Sequence, residues 1–222
     1  MLSRYGKREW LIIIVIGAAL IAPAIAMGWW IVAALIALIA VALLSFFRDP
    51  QRQIPSQRGQ MVSPADGRIS SIHQLDHYEP LDAPAVCIRV FMSVLNVHVN
   101  RSPCHGRVTT TEHKPGRFIN ALKPESAELN ESQTTVLYHP SRSTPIAAIR
   151  QVAGAIARRI VCDVRPGDIL QRGQRFGIIK FGSTVELYLP HPDRVEVQVR
   201  HGQKVYAGAT VLAVVNPGPA ET

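Results

Sequence analysis

Residues 176–189 read FGIIKFGSTVELYL, in which two runs of apolar and β-branched side chains flank a central Gly182-Ser183 pair. Such runs favour β-strands, and a glycine between them is typical of a tight turn. A serine hydroxyl directly after that glycine is placed to attack the Gly182 carbonyl and turn the amide into an ester. Elimination would then cut the chain and leave a pyruvoyl group at residue 183. An isolated Gly-Ser pair is more often a turn without chemistry, so this interpretation needs support from elsewhere in the chain.

Strand-like runs also occur along the rest of the chain after residue 60, separated at short intervals by Gly, Pro, Asn and Asp. This pattern predicts a mainly β fold, a barrel or sandwich with few short helices. The best candidate for a soluble helix lies within residues 149–161, although Gly154 and the β-branched side chains favour a strand almost as well. Two glycine-bounded strand pairs, at residues 167–176 and 202–211, suggest a small internal duplication. The predicted strands cover residues 68–72, 85–92, 107–111, 134–138, 176–181, 184–189, 194–199 and 210–215.

Residues 10–47 form a run of 38 residues without a single charge. As one helix this run would be roughly 57 Å long, nearly twice the ~30 Å hydrocarbon core of a membrane. Pro23 and Gly28 lie near its middle, so the run predicts two spans of about 17 residues joined by a short turn. Trp29 and Trp30 suit an interfacial position beside that turn. A cleaved signal peptide is the alternative, but the run is too long for one.

Basic residues flank the apolar run on both sides, which predicts that both ends of the hairpin lie in the cytoplasm. The formal net charge of +8 suits contact with an anionic lipid surface. Scattered basic residues without interleaved aromatics argue against a nucleic-acid partner. Cys87, Cys104 and Cys162 have no zinc spacing and are expected to be reduced thiols, and no metal site is expected. We therefore divide the chain into a membrane anchor (1–47), a linker (48–60) and a catalytic domain (61–222).

Three residues could act together in the proposed self-cleavage. Asp66 follows Pro64 in a turn sequence, and His98 lies in the stretch LNVHVNRSP, residues 95–103. Asp66 would be an acid that orients a base, and His98 a base that activates the hydroxyl of Ser183. This is the general arrangement of a catalytic triad. The alternatives are structural: Asp66 could simply stabilise its turn, and His98 could be a hydrogen-bonded residue of a strand. The sequence does not show whether Asp66, His98 and Ser183 lie close together.

These motifs, and the order in which they follow one another, resemble those of the short, membrane-bound form of the phosphatidylserine decarboxylase proenzymes. The resemblance runs across nearly all of residues 61–215, and the processing tripeptide reads Phe-Gly-Ser where the family often has Leu-Gly-Ser. The matching stretches are SPADG (63–67), NVHVNRSP (96–103), KPGRFINA (114–121), NE (130–131), QVAGAIARRI (151–160), GQRFG (173–177) and FGST (181–184).

The resemblance implies cleavage between Gly182 and Ser183 into a β chain (1–182) and an α chain (183–222) that stay together as a heterodimer. Ser183 would become the covalent pyruvoyl cofactor and form a Schiff base with the amino group of phosphatidylserine. Loss of CO2 would then give phosphatidylethanolamine. By position, Asp66 would orient His98, and His98 would be the base of self-cleavage and the proton donor after decarboxylation. A higher oligomer of this pair is left open.

Two alternatives remain beside this interpretation. The chain could decarboxylate another seryl phospholipid, such as one with ether-linked chains, because the reacting head group would be the same. It could also be a membrane-tethered adaptor or carrier of the barrel-sandwich type without enzymatic activity. A carrier needs a lysine at a hairpin tip, and Lys180 and Lys204 fit that requirement poorly. The roles of His105, Arg158 and Arg159 are not decided by the sequence.

Overall fold

The computed structural model describes residues 1–120, 125–155, 160–180 and 182–216, and these divide into two compact units, Met1–Gln51 and Arg52–Thr222. The unit boundary falls inside the stretch predicted as a linker. The second half of the predicted linker packs within the second unit. There, Arg172 Nη1 donates hydrogen bonds to the carbonyl oxygens of Pro55 and Gln57 at 2.8 and 2.9 Å. Arg158 and Arg159 lie outside the described residues.

The first unit is a helical hairpin. After a 3-10 turn at Arg4–Gly6, α1 (Lys7–Ala26) and α2 (Trp30–Phe46) are joined by a short turn in which Gly28 has φ +74°. The two predicted apolar segments are thus both helices, but Pro23 lies inside α1 rather than in the turn. The helix Arg4–Ala26 is long and apolar enough to cross a membrane, whereas Trp30–Phe46 is a shorter apolar helix.

The second unit is built from antiparallel strands, which confirms the predicted mainly β fold. Its main sheet has eight strands in the order β13-β2-β3-β11-β7-β6-β5-β9, and two three-stranded sheets have the orders β1-β14-β12 and β4-β10-β8. One four-residue helix, α3 (Ser126–Leu129), belongs to this unit. The strands are β1 (Gln60–Val62), β2 (Gly67–Tyr78), β3 (Ala83–Met92), β4 (Val99–Arg101), β5 (Gly106–Lys114), β6 (Ser132–Tyr138), β7 (Pro145–Val152), β8 (Ile160–Cys162), β9 (Ile169–Leu170), β10 (Arg175–Ile179), β11 (Ser183–Pro190), β12 (Val195–Val197), β13 (Lys204–Val205) and β14 (Val211–Val215).

The described residues of 149–161, namely 149–155 and 160–161, do not form the helix considered for this stretch. Its first part is the end of β7, and Ile160 to Cys162 form β8. β7 pairs with β11 on one side and β6 on the other, so its backbone groups are satisfied by two neighbouring strands. Burial on both faces suits the β-branched and small side chains of this segment, and tertiary pairing outweighs its weak helical periodicity.

β11 is a central strand whose two faces are both buried. Val185, Leu187 and Leu189 point into the main hydrophobic core, whereas Tyr188 packs on the second cluster on the opposite face of the sheet. All eight residues of the strand are buried. The strand that starts with Ser183 is therefore packed on both of its faces and paired with a neighbouring strand along each of its edges.

The glycines of the proposed duplication have matching backbone conformations. Gly167 and Gly173 have φ of +99° and +74°, and Gly202 and Gly208, at the same spacing, have +79° and +74°. This left-handed region is readily adopted by glycine only. The repeated pair of positive-φ glycines is consistent with a duplicated turn-strand unit.

Candidate active site

Ser183 is the first residue of β11, and the segment before it connects β10 to β11 across two different sheets. Gly182 has φ +53°, a left-handed conformation that side chains other than glycine disfavour. A Cβ at this position would meet no atom of the described residues within 4 Å, so the glycine is required by its backbone conformation rather than by crowding. The Gly182-Ser183 bond therefore lies where a bend at Gly182 leads into β11.

The Ser183 hydroxyl is fully buried beside a chain of polar groups. Its Oγ lies 3.7 Å from Met92 Sδ, to which it donates, and Met92 faces Ser183 directly in the β3–β11 pairing. Asn100 Nδ2 lies 3.9 Å from the same sulfur, and Gln151 Nε2 donates to Asn100 Oδ1 at 2.8 Å. A thioether is a weak acceptor, so the contact orients the Ser183 hydroxyl without holding it strongly.

Gln151 contributes a second feature to this cluster. Its side chain is fully buried, and its Oε1 accepts no hydrogen bond from any group in the described part of the chain. A buried carbonyl oxygen without a hydrogen bond costs free energy. A donor that enters the site and bonds to this oxygen would recover that free energy. The polar chain from Gln151 to Ser183 thus ends in a free acceptor.

His98 is fully buried just before β4. Its Nδ1 lies 2.9 Å from the carbonyl oxygen of Asn96. Because a carbonyl oxygen only accepts, Nδ1 carries the proton, and in the neutral ring Nε2 is the basic nitrogen. The carbonyl oxygen of His98 accepts from Ile179 N at 3.4 Å, which ties the residue to β10 four positions before Ser183.

Asp66 lies at the same end of the sheet, immediately before β2. Its Oδ2 is 2.8 Å from Arg52 Nη2, and its Oδ1 accepts from the backbone N–H of Ala207 at 2.7 Å. β2 and β11 flank β3 on its two sides, with Arg68 opposite Phe91 and Ser183 opposite Met92. The register therefore brings the Asp66 turn and Ser183 to the same end of β3.

The comparisons with known proteins cover most of the chain. A family model described as phosphatidylserine decarboxylase matches residues 39–213. The chain belongs to the phosphatidylserine decarboxylase family. A relative from Rhodopirellula baltica, named phosphatidylserine decarboxylase proenzyme, is 42% identical over 97% of this chain and 88% of its own length. Relatives of the same name from Burkholderia vietnamiensis and Ehrlichia chaffeensis are 46% and 44% identical over 79% and 82% of this chain, and 80% of each relative is covered. The family recognised from the sequence motifs is thus confirmed.

A buried ionic network supports the candidate site of this family member from the other face of the sheet. Glu186 is directly opposite Arg89 in β3 and Arg150 in β7. Its Oε1 lies 3.4 Å from Arg89 Nε, and its Oε2 lies 3.5 Å from Arg150 Nη1. Arg89 Nη2 also donates to Ser126 Oγ at 2.7 Å and to Thr184 Oγ1 at 3.4 Å. The network therefore reaches the residue that follows Ser183.

The phenol of Tyr188 completes this network and donates to Glu186 Oε2 at 2.8 Å. Burial, with the nearby Glu186 charge, raises the pKa of Tyr188 far above its usual value, so the phenol stays protonated and remains a donor. Tyr78 stacks on Tyr188 with ring centroids 3.7 Å apart, and burial raises its pKa as well.

Several residues that surround Ser183 lie in the sequence motifs given above, but the sequence assigned them no role. A signal existed for Arg89, Arg150 and Glu186, because each interrupts an otherwise apolar strand with a charge. Their pairing became visible only with the strand order that sets β11 between β3 and β7. Met92, Asn100 and Gln151 had no such signal, since each is an ordinary residue of a buried strand.

Proposed function

We propose that this chain is the precursor of a pyruvoyl-dependent phosphatidylserine decarboxylase that cuts itself between Gly182 and Ser183. The observation that carries the proposal is a buried serine at the start of a central strand, preceded by a glycine with positive φ, in a chain of this family. The Ser183 oxygen would attack the Gly182 carbonyl carbon, and the peptide nitrogen would be displaced to leave an ester. Elimination across Cα–Cβ of Ser183 would release the Gly182 carboxylate, and water would convert the resulting dehydroalanine to a pyruvoyl group and ammonia.

His98 is the base that we assign to the first step. With its Nδ1 proton directed at the Asn96 carbonyl, Nε2 is the nitrogen able to take the Ser183 hydroxyl proton. The same nitrogen would return a proton to the substrate carbon after CO2 leaves. Asp66 is assigned as a positioning residue, and its pairing with Arg52 and Ala207 fixes the turn that precedes β2.

The two products of cleavage are expected to stay associated. Residues 183–222 contain β11, which faces β3 over eight residue pairs and β7 over five. They also contain β13 and β14, which pair with β2 and β1. Cutting before Ser183 leaves all of these pairings in place, which supports a heterodimer of the β and α chains.

The residues around Ser183 fit a pyruvoyl group at this position. When formed, that group supplies a ketone electrophile for the substrate amine and a sink for the electrons left behind by CO2. The surroundings of Ser183 are shielded from bulk solvent, with Met92 and Val185 fully buried. Such a site weakens the solvation of the substrate carboxylate and so favours its loss as neutral CO2. The free Oε1 of Gln151 can accept a hydrogen bond from a group bound there.

The decisive activity test uses the full chain in mixed micelles with phosphatidylserine. We expect stoichiometric phosphatidylethanolamine and CO2, and complete loss of activity after treatment with hydroxylamine, which captures carbonyl groups. The matched control substrate is N-acetyl-phosphatidylserine, which keeps the carboxylate but has no free amine, and it should not react. Equal decarboxylation of the two lipids would disprove the proposed chemistry, and no product from either lipid would favour the adaptor alternative.

We also propose that the first unit anchors the enzyme and that residues 52–222 lie in the cytoplasm. Arg4, Lys7 and Arg8 precede the apolar run and Arg48 follows it, so positive charge flanks both ends. In sealed inverted vesicles, added protease is expected to degrade the second unit, whereas in intact spheroplasts that unit should be protected. Degradation in spheroplasts instead would show the opposite orientation.

A further inference from the structure

We propose that a second site on this chain, at the opposite end of the main sheet from Ser183, binds a phosphate-bearing anion. The second unit contains a cavity of about 400 Å³ between the β6–β7 hairpin, the turn after β11 and the end of β14. A volume of this order suits a small molecule or a lipid head group. The cavity lies outside the site described above and shares no residue with it.

The register of β11 gives the separation between the two sites. Ser183 begins the strand and Pro190, which lines the cavity, ends it. Seven steps along a strand correspond to roughly 23 Å. β7 repeats this arrangement, because Ile146 near its start lines the cavity while Val152 at its end faces Thr184. A ligand in the cavity therefore cannot touch the Gly182-Ser183 bond.

The lining is strongly basic. Four arginines and three histidines face the cavity, and none of the described residues that line it is an Asp or Glu. Arg194 has an acidic partner, Asp193, whose carboxylate lies 3.7 Å from Arg194 Nε but is 76% exposed. The basic residues are Arg58, Arg142, Arg172, Arg194, His105, His139 and His191.

Two features show that the basic lining is held in place. Arg172 is fixed by its two hydrogen bonds to the carbonyl oxygens of Pro55 and Gln57, while its buried Nε–H has no acceptor among the described residues. His191, at the turn after β11, has φ +57°, a left-handed conformation that is unfavourable for a residue with a side chain. Strained backbone of this kind is concentrated at ligand sites.

The chemistry of the cavity selects the ligand class. Several guanidinium groups surround one space. A phosphate, with its higher charge and larger number of oxygens, can bond to more of these groups than a single carboxylate can. Met61, Ile146 and Val214 add an apolar part to the lining. A phosphate ester with an apolar portion satisfies both halves of the cavity. Two sources share this chemistry, namely the head group of an anionic phospholipid and a soluble phosphate compound.

Calorimetric titration of the full chain in nonionic micelles with inorganic phosphate tests the proposal at constant ionic strength. We expect saturable binding to the wild type, at least tenfold weaker binding to an Arg142→Gln/Arg194→Gln variant, and no comparable binding of acetate. The charge-matched control is Arg165→Gln/Arg200→Gln, which removes two exposed arginines outside the cavity and should bind like the wild type. If the double variant does not fold, as judged by circular dichroism, Arg142→Gln alone carries the comparison.

Repeating the titration in micelles that contain phosphatidylglycerol separates the two sources. That lipid has a phosphodiester but no amine to react at Ser183, and the Arg142→Gln/Arg194→Gln variant distinguishes its binding in the cavity from its binding at the active site. Loss of the phosphate signal in these micelles would assign the site to lipid head groups, and an unchanged signal would assign it to soluble phosphates. Absence of binding to the wild type, or equal binding to both double variants, would overturn the proposal. Neither result would bear on decarboxylation, because the readout does not depend on Ser183.

Discussion

Ser183→Ala is expected to leave the precursor as one uncut chain of 222 residues with no detectable decarboxylation. The variant removes the only atom that we assign as the nucleophile, and no other group can become the carbonyl at that position. Because Ser183 is buried and small, its replacement by alanine should leave the fold intact. Intact-mass analysis should show a 40-residue fragment, residues 183–222, in the wild type and not in the variant.

The matched control for this experiment is Ser141→Ala, which removes an exposed hydroxyl from the loop between β6 and β7. It should be cut and active like the wild type. Appearance of the 183–222 fragment in Ser183→Ala would refute the proposed self-cleavage. A wild-type chain that is active while uncut would refute it as well.

The same fragment assay distinguishes the roles of His98 and Asp66. His98→Gln should slow cutting about 100-fold or more, the usual contribution of a general base. Asp66→Asn should slow cutting less, because it weakens the ion pair with Arg52 that fixes the turn before β2 but leaves His98 in place. A cutting rate equal to that of the wild type would show that this turn does not position the site.

Glu186→Gln is expected to destabilise the second unit by about 3–5 kcal/mol. The side chain is 3% exposed, and the two arginines that it contacts are 10% and 14% exposed, so solvent screens these charges little. Without the carboxylate, Arg89 and Arg150 would be buried as like charges on neighbouring sides of β11. Urea unfolding of the full chain in micelles, followed by far-ultraviolet circular dichroism, measures the loss.

The control is Glu196→Gln, an exposed glutamate in β12, for which we expect a change of less than about 0.5 kcal/mol. Cutting should also slow in Glu186→Gln, because Arg89 holds Thr184, the residue that follows Ser183. Replacing Glu186, Arg89 and Arg150 together by apolar residues should recover much of the stability, as burial of an unpaired charge is then avoided. A loss below 1 kcal/mol in Glu186→Gln would show that the network contributes little.

Local patterns in the sequence predicted most of the secondary structure. The alternating runs gave β3, β6, β11 and β14 to within two residues, because burial of one or both faces of a strand leaves a clear pattern of apolar side chains. The uncharged run gave the helical hairpin for the same reason. Residues 149–161 were ambiguous locally, and only their pairing with β6 and β11 made the first part a strand.

The sequence by itself determined the chemistry that is available at Gly182-Ser183, since a turn glycine before a serine and the accompanying motifs are local features. It also determined the β class of the second unit and the apolar character of the first. Only the tertiary structure decided what surrounds Ser183: Met92, Asn100 and Gln151 on one face, and Glu186 with its two arginines behind it. These contacts join residues up to 97 positions apart in the chain, as in the pair of Arg89 and Glu186. Strand order and register, which local sequence patterns do not contain, set which of them meet.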